Sequence, residues 1–130
     1  MYQYSFEKLE VWQDARALVK SVYGLTSRFP SKETYGLSSQ IQRAVVSVAS
    51  NIAEGMGRNT EKEQVRFLEI AYGSLMETCC QLYLALDLEY IAQNELNNLR
   101  TDIDKVSNKI NALSKSIINR MNKSESDNQN

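Results

Sequence analysis

A chain of 130 residues, 42% apolar and 24% charged, fits one globular domain that can bury a core without metal or disulfide staples. Fifteen basic residues against sixteen acidic ones leave a net charge of -1, without the basic excess usual in dedicated nucleic-acid binders, so a basic surface would have to come from a local patch or from symmetric repetition. One proline and five glycines favour a few long helices over many short strands.

The elements follow in order, with helices predicted at about 6–29, 32–55, 60–89 and 94–122. In the first, Trp12, Ala15, Val19, Val22, Thr26 and Phe29 recur in steps of three and four, the stripe of an amphipathic helix. Pro30 ends it, and Ser31 is the expected cap of the second. That helix aligns Leu37, Ile41, Val45, Val48 and Ile52, and Gly55 and Gly57 are its expected stop through left-handed glycine. Thr60-Glu61-Lys62-Glu63 reads as a capping box for the third helix, whose stripe is Leu68, Tyr72, Leu75, Cys79, Leu82 and Leu86. Asn94 is the expected cap of the fourth, where Leu96, Leu99, Ile103, Val106, Ile110, Leu113 and Ile117 keep a strict three-four alternation. Short connections make consecutive helices antiparallel, giving an all-α, up-down-up-down four-helix bundle over 1–122. The polar residues 123–130 are expected to be disordered.

The third helix carries a second line on its opposite side: Ile70, Gly73, Glu77, Cys80, Leu84 and Leu88. A peripheral helix of a lone bundle should be polar there. Either the core face is broad, or the line is the interface of a homo-oligomer. On the second helix, the small residues Val46, Ser47, Ser50 and Ala53 repeat the feature weakly. Glu77 would then be a buried carboxylate in need of partners, with Asn51, Ser50 and Arg43 the nearest by pattern and a register-fixing hydrogen bond the plain expectation.

No catalytic, metal or cofactor site is expected. Histidine, the commonest general base and metal ligand, is absent. The neighbouring Cys79 and Cys80 lack zinc-ligand spacing and point about 100° apart on a helix, too far round to bridge, so a reduced, cytoplasmic setting is expected. The first residues lack the basic and apolar regions of a signal peptide, and no apolar run reaches the roughly 20 residues that span a bilayer.

Ser50-Asn51-Ile52-Ala53-Glu54-Gly55, then Gly57-Arg58, Phe67-Leu68, Ile70-Ala71 and Gly73-Ser74-Leu75-Met76-Glu77, give the chain a recognisable signature. It resembles the bacterial four-helix-bundle family named for proteins encoded in intervening sequences of 23S ribosomal RNA genes. Phe6, Leu9, Val11-Trp12, Ala15, Tyr35-Gly36-Leu37, Gln40-Ile41, Arg43-Ala44, Leu82, Leu84-Ala85 and Tyr90-Ile91 extend the likeness over roughly 6–92. Ala49 departs from it, since many relatives carry proline there, and a straighter second helix is expected.

The resemblance implies a homopentameric ring. It also implies kinship with the accessory variability proteins of diversity-generating retroelements, basic barrels that associate with RNA, DNA and a reverse transcriptase. On that footing the candidate nucleic-acid contacts are Arg43, Arg58, Lys62 and Arg66, expected to cluster near the turn between helices two and three and diluted by Glu61, Glu63 and Glu69. A non-enzymatic scaffold or binding role is therefore expected. The alternatives are a docking subunit for a partner protein without nucleic-acid contact and, remotely, an enzyme.

Overall fold

A computed structural model describes residues 1–129, and within them every regular element is helical. The chain enters through a 3-10 turn at Ser5–Lys8, closed by the Glu7 carboxylate accepting from the Tyr4 N–H at 2.7 Å. Leu9 is extended, so the first α-helix, α1, spans Glu10–Thr26 and starts later than the predicted 6. Its buried line is Val11, Ala15, Leu18, Val22 and Leu25, continued by Phe29. Of the expected stripe Ala15, Val22, Thr26 and Phe29 are buried, whereas Trp12 and Val19 are half-buried flanks. Val11 and Leu18 fill the seam in their place, while the Trp12 ring sits at the edge, 4.9 Å from that of Phe6.

A second 3-10 turn, Ser31–Glu33, precedes α2 at Leu37–Met56, which runs unbroken through Ala49. Ser31 is not its cap. The Glu33 carboxylate accepts from the Leu37 N–H at 3.2 Å, and a Cβ on Gly36 would lie 2.7 Å from that carboxylate oxygen. Glycine therefore keeps the space that the cap uses. At the far end neither Gly55 nor Gly57 is left-handed, contrary to expectation. Gly57 ends α2 in a right-handed conformation, and Gly55 is buried where an added Cβ would meet the Phe67 Cβ at 2.9 Å.

The third helix, α3, spans Glu61–Asp87, with the Thr60 hydroxyl accepting from the Glu63 N–H at 3.2 Å. Only half of the expected capping box is present in these contacts, because the Glu63 carboxylate turns to Arg66, 3.5 Å away. The helix closes on Glu89 at φ 64, with Glu89 N–H donating to Leu86 and Tyr90 N–H to Ala85, both at 2.9 Å. That pair of bonds satisfies the last free carbonyls. The fourth helix, α4, spans Gln93–Gln129. Its start is held by Glu95 accepting from the Ala92 N–H at 2.9 Å, so Ala92 occupies the capping place expected of Asn94.

Each helix packs on two neighbours, α1 on α2, α2 on α3, α3 on α4 and α4 back on α1, which closes a four-cornered bundle. Ile41, Val45, Val48 and Ile52 of α2, and Leu96, Leu99, Ile103, Val106, Ile110 and Ile117 of α4, are buried as predicted. Each such side chain contributes roughly 1.5–3 kcal/mol when fully covered. On α3 the buried sector reaches further towards α2 than its stripe predicts, taking in Ala71, Thr78, Gln81 and Ala85 and leaving Tyr72, Cys79 and Leu86 half-buried.

The two ends of the bundle differ. At one, the α1–α2 and α3–α4 connections are tied by the Arg28–Glu95 ion pair, by the Tyr90 hydroxyl donating to Glu33 at 2.6 Å, and by the Phe29 and Tyr90 rings 5.3 Å apart. At the other lie the chain start, the α2–α3 corner and the last part of α4. There α4 does not stop near 122. It continues as helix through Gln129, correcting the expected disorder from 123, while Asn130 lies outside the described residues. Met121 is its last apolar residue, so only backbone hydrogen bonds carry the helix onward.

Candidate interaction surface

On α3, residues 70, 73, 77, 80, 84 and 88 fall within a sector opposite the core at 100° per residue. All six are exposed in the single chain, with Ile70 at 40%, Leu84 at 46% and Leu88 at 52%. The broad-core alternative is thereby excluded, because none of these side chains enters the bundle. Gly73 has open space where a Cβ would stand, so no contact within the chain asks for glycine there. Val46, on the outer face of α2, is also 39% exposed.

Glu77 is not buried, which corrects the expectation of a carboxylate hidden among Asn51, Ser50 and Arg43. It accepts from Gln81 Nε2 at 3.2 Å. The register bond assigned to it is made elsewhere: the Ser47 and Ser74 hydroxyls lie 2.8 Å apart across α2 and α3. Asn51 Nδ2 donates to the Ser47 carbonyl and hydroxyl, both at 2.8 Å, which holds Ser47 in place. Of the motif, then, Asn51 and Gly55 serve the α2–α3 contact. Ala53 is half-buried, and Ser50 and Glu54 are exposed, with Glu54 3.8 Å from Arg58.

The four candidate nucleic-acid contacts do not form one patch. Arg58, Lys62 and Arg66 lie at the α2–α3 corner, whereas Arg43 stands fifteen residues back along α2, about 22 Å from Arg58. Arg43 shares a polar groove with Ser47, Ser74 and Glu77. The Arg58 guanidinium lies over the Phe67 ring, 4.5 Å from its centre. Lys62 and Arg66 border a groove of about 330 Å³ with Val65, Ile118 and Met121, but Glu63 and Glu69 share its walls. The field there is mixed in sign.

Two features escaped the reading of the sequence. From Lys105 to Ser124 there are five cations and no carboxylate. Lys109 lies 2.5 Å from both Glu10 and Asp14, and Lys105 lies 3.5 Å from Asp14, so these two bind α4 to α1. Lys115, Arg120 and Lys123 are left exposed around a shallow depression of about 470 Å³. The second feature is a chain of rings at the N-terminus: Tyr2–Tyr4 at 5.1 Å edge-on, Tyr4–Phe6 stacked at 6.4 Å, Phe6–Trp12 at 4.9 Å, and the Arg16 guanidinium 5.5 Å from the Trp12 centre. A tally of charge along α4 could have found the first; the second needs the fold of the entry turn.

Cys79 is half-buried, with its thiol pKa pushed up chiefly by burial, and Cys80 is exposed; neither is disulfide-bonded. Among the described residues no group of three or more His, Cys, Asp or Glu could hold a metal ion, and no helix is long and apolar enough to cross a membrane.

The family model described as 23S rRNA-intervening sequence protein matches residues 7–112. Among solved structures, a protein of unknown function from the S23 ribosomal protein family of Bacteroides thetaiotaomicron VPI-5482 is similar at 21% identity and a TM-score of 0.75. The match covers 81% of this chain and 98% of that one, and at that identity it speaks for the fold. No curated protein matches the sequence.

Proposed function

The chain belongs to the 23S rRNA-intervening sequence protein family, and from that premise we propose that it is a non-enzymatic scaffold that assembles with copies of itself through the outer face of α3. One observation carries this reading: Ile70, Leu84 and Leu88 stand in water on the side of α3 away from the core. Single exposed leucines are ordinary, but three on one line, with Gly73 between them, make a helix face without a partner.

Size bears on how that face is covered. From Ile70 to Leu88 the stripe is about 27 Å long, and a helix about 11 Å wide gives on the order of 300 Å². A stable interface takes about 800 Å² from each partner. The adjoining face of α2, with Val46, Ser50 and Ala53, therefore joins the contact, and its small side chains allow close approach. A ring of five is the assembly that the family resemblance implies, and a scaffold of that kind could also dock a partner protein. Lack of histidine supports the non-enzymatic role, and the unbridged cysteines suit a reducing cytoplasm.

Light scattering over a range of concentrations tests the assembly. We expect a mass that is a multiple of the 14.8 kDa chain, five times that mass for the ring. Leu84→Glu should reduce it to one chain while helicity is retained, because Leu84 lies outside the core. A wild-type chain that stays solitary at every concentration sinks the proposal.

A further inference from the structure

Given the assembly through α3 proposed above, we infer that the α3 stripe of one copy is laid along the outer seam between α1 and α2 of the next, a head-to-tail contact and not a two-fold one. That seam is a second surface with exposed apolar side chains. Gln42 Nε2 donates to the Thr26 hydroxyl at 3.0 Å, which fixes the register of the two antiparallel helices. One turn inward from that bond Tyr23 stands level with Val46, two turns inward Val19 with Ala49, and four turns inward Trp12 with Met56. The two inner pairs are half-buried, whereas Tyr23 is 43% exposed and Val46 39%. From Gln42 to Met56 the seam is about 21 Å long, close to the length of the α3 stripe. A helix lying between two others touches both, so more of its outer face is covered than a single helix could cover.

Charge decides which face meets which. From Phe67 to Leu99 the chain has no lysine or arginine, and Glu69, Glu77 and Asp87 are exposed on or beside the stripe. The seam has the opposite sign. Arg16 lies on it, its guanidinium 5.5 Å from the centre of the Trp12 ring, and Lys20 is exposed one turn further along α1. The α1 carboxylates Glu10 and Asp14 are turned away to α4, where Lys109 holds both and Lys105 also meets Asp14. On α2 there is no carboxylate from Leu37 to Ala53. A two-fold contact of stripe on stripe would bring the carboxylates of both copies into one apolar contact without a cation on either stripe, and seam on seam would crowd Arg16 and Lys20 against their own copies. Like charges so placed are costly, whereas stripe on seam sets acid against base. A contact between two different faces repeats from chain to chain and closes as a ring.

Light scattering of one-face variants, alone and mixed, tests this. Tyr23→Glu should reduce the assembly to single chains with helicity retained, although α1 and α3 stand at opposite corners of the bundle and do not touch among the described residues. Leu84→Glu should do the same from the other side of the contact. Mixed in equal amounts, the two variants hold one intact stripe and one intact seam between them, so they should form pairs of chains and nothing larger. Arg16→Glu/Lys20→Glu, with both residues exposed, should raise the concentration needed for assembly at least about tenfold. Stripe on stripe predicts instead that Tyr23→Glu assembles as wild type. That result overturns the head-to-tail contact, as does an Arg16→Glu/Lys20→Glu variant that assembles at wild-type concentrations, or a mixture that forms no pairs or grows beyond them. A wild-type chain that stays solitary ends the proposed assembly and this contact together. An assembly dissociated by Leu84→Glu and left whole by Tyr23→Glu ends this contact alone.

Discussion

Glu89 is the one non-glycine residue held at positive φ among those described, at 64°, where the Cβ crowds the following carbonyl. The position is imposed on it, because Glu89 and Tyr90 N–H groups must reach Leu86 and Ala85 to close α3. Glycine would take that conformation freely. Glu89→Gly should therefore raise stability by about 0.5–1 kcal/mol in urea unfolding, and a loss of stability would show that the Glu89 side chain does something the strain argument omits. Gly55 is the opposite case. Its φ is ordinary, and the requirement is for room against Phe67, where α2 and α3 meet at their shared corner.

Among the elements, α3 and α4 each exceed what one bundle needs. The inner face of α3 is ordinary core, and the outer face, with Ile70, Leu84 and Leu88, is what the proposed assembly would cover. On α4 the excess is length: 37 residues make a helix of about 55 Å, against about 25 Å for the 17 residues of α1. Beyond Met121 no apolar side chain remains to attach it. Deleting 123–130 should thus change unfolding free energy by less than about 0.5 kcal/mol, the usual scatter for exposed positions. A loss above about 1 kcal/mol would mean that the extension packs on something, a second copy being the first suspect.

For the molecule as a whole, pH acts on the tied end through Glu33, Tyr90 and Glu95. At the tied end, the hydrogen bond from Tyr90, and then that from the Leu37 N–H, hold the Glu33 carboxyl below its ordinary 4.5. Glu95 is held down by the Ala92 N–H and then by Arg28. The same bond to Glu33 pushes the Tyr90 hydroxyl above its ordinary 10.0. A lowered carboxyl stabilises the fold above its unfolded value, and the contribution disappears as pH falls through the folded one. A raised phenol stabilises below its unfolded value, and the contribution disappears as pH rises through the folded one. The tie is thus complete between about pH 4.5 and 10. Glu33→Gln should lower the wild-type midpoint at neutral pH and flatten its decline between about pH 5 and 3, measured by urea unfolding. An unchanged slope would place the acid sensitivity elsewhere.

Four helices and most of their inner faces could be read in advance because burial imposes a three-four spacing on any helix that covers a core. The α4 seam shows this most plainly, since every buried residue from Leu96 to Ile117 was on its predicted line. The order of the family motif was equally plain in the chain. Two positions of α1 were not, because Val11 and Trp12, like Leu18 and Val19, are adjacent apolar residues, and only packing against the neighbouring helices chooses between them. The caps at Glu33 and Ala92 were hidden for a similar reason: each depends on a side chain folding back onto a turn. Glu77 lay on the second stripe, but whether a stripe faces protein or water depends on the other helices, and in this chain it faces water. Spacing along one helix is a local property, fixed by 3.6 residues per turn. Which residues meet across helices, and which ring or cation is left facing outward, depends on distances between segments far apart in the chain, and those exist only once it has folded.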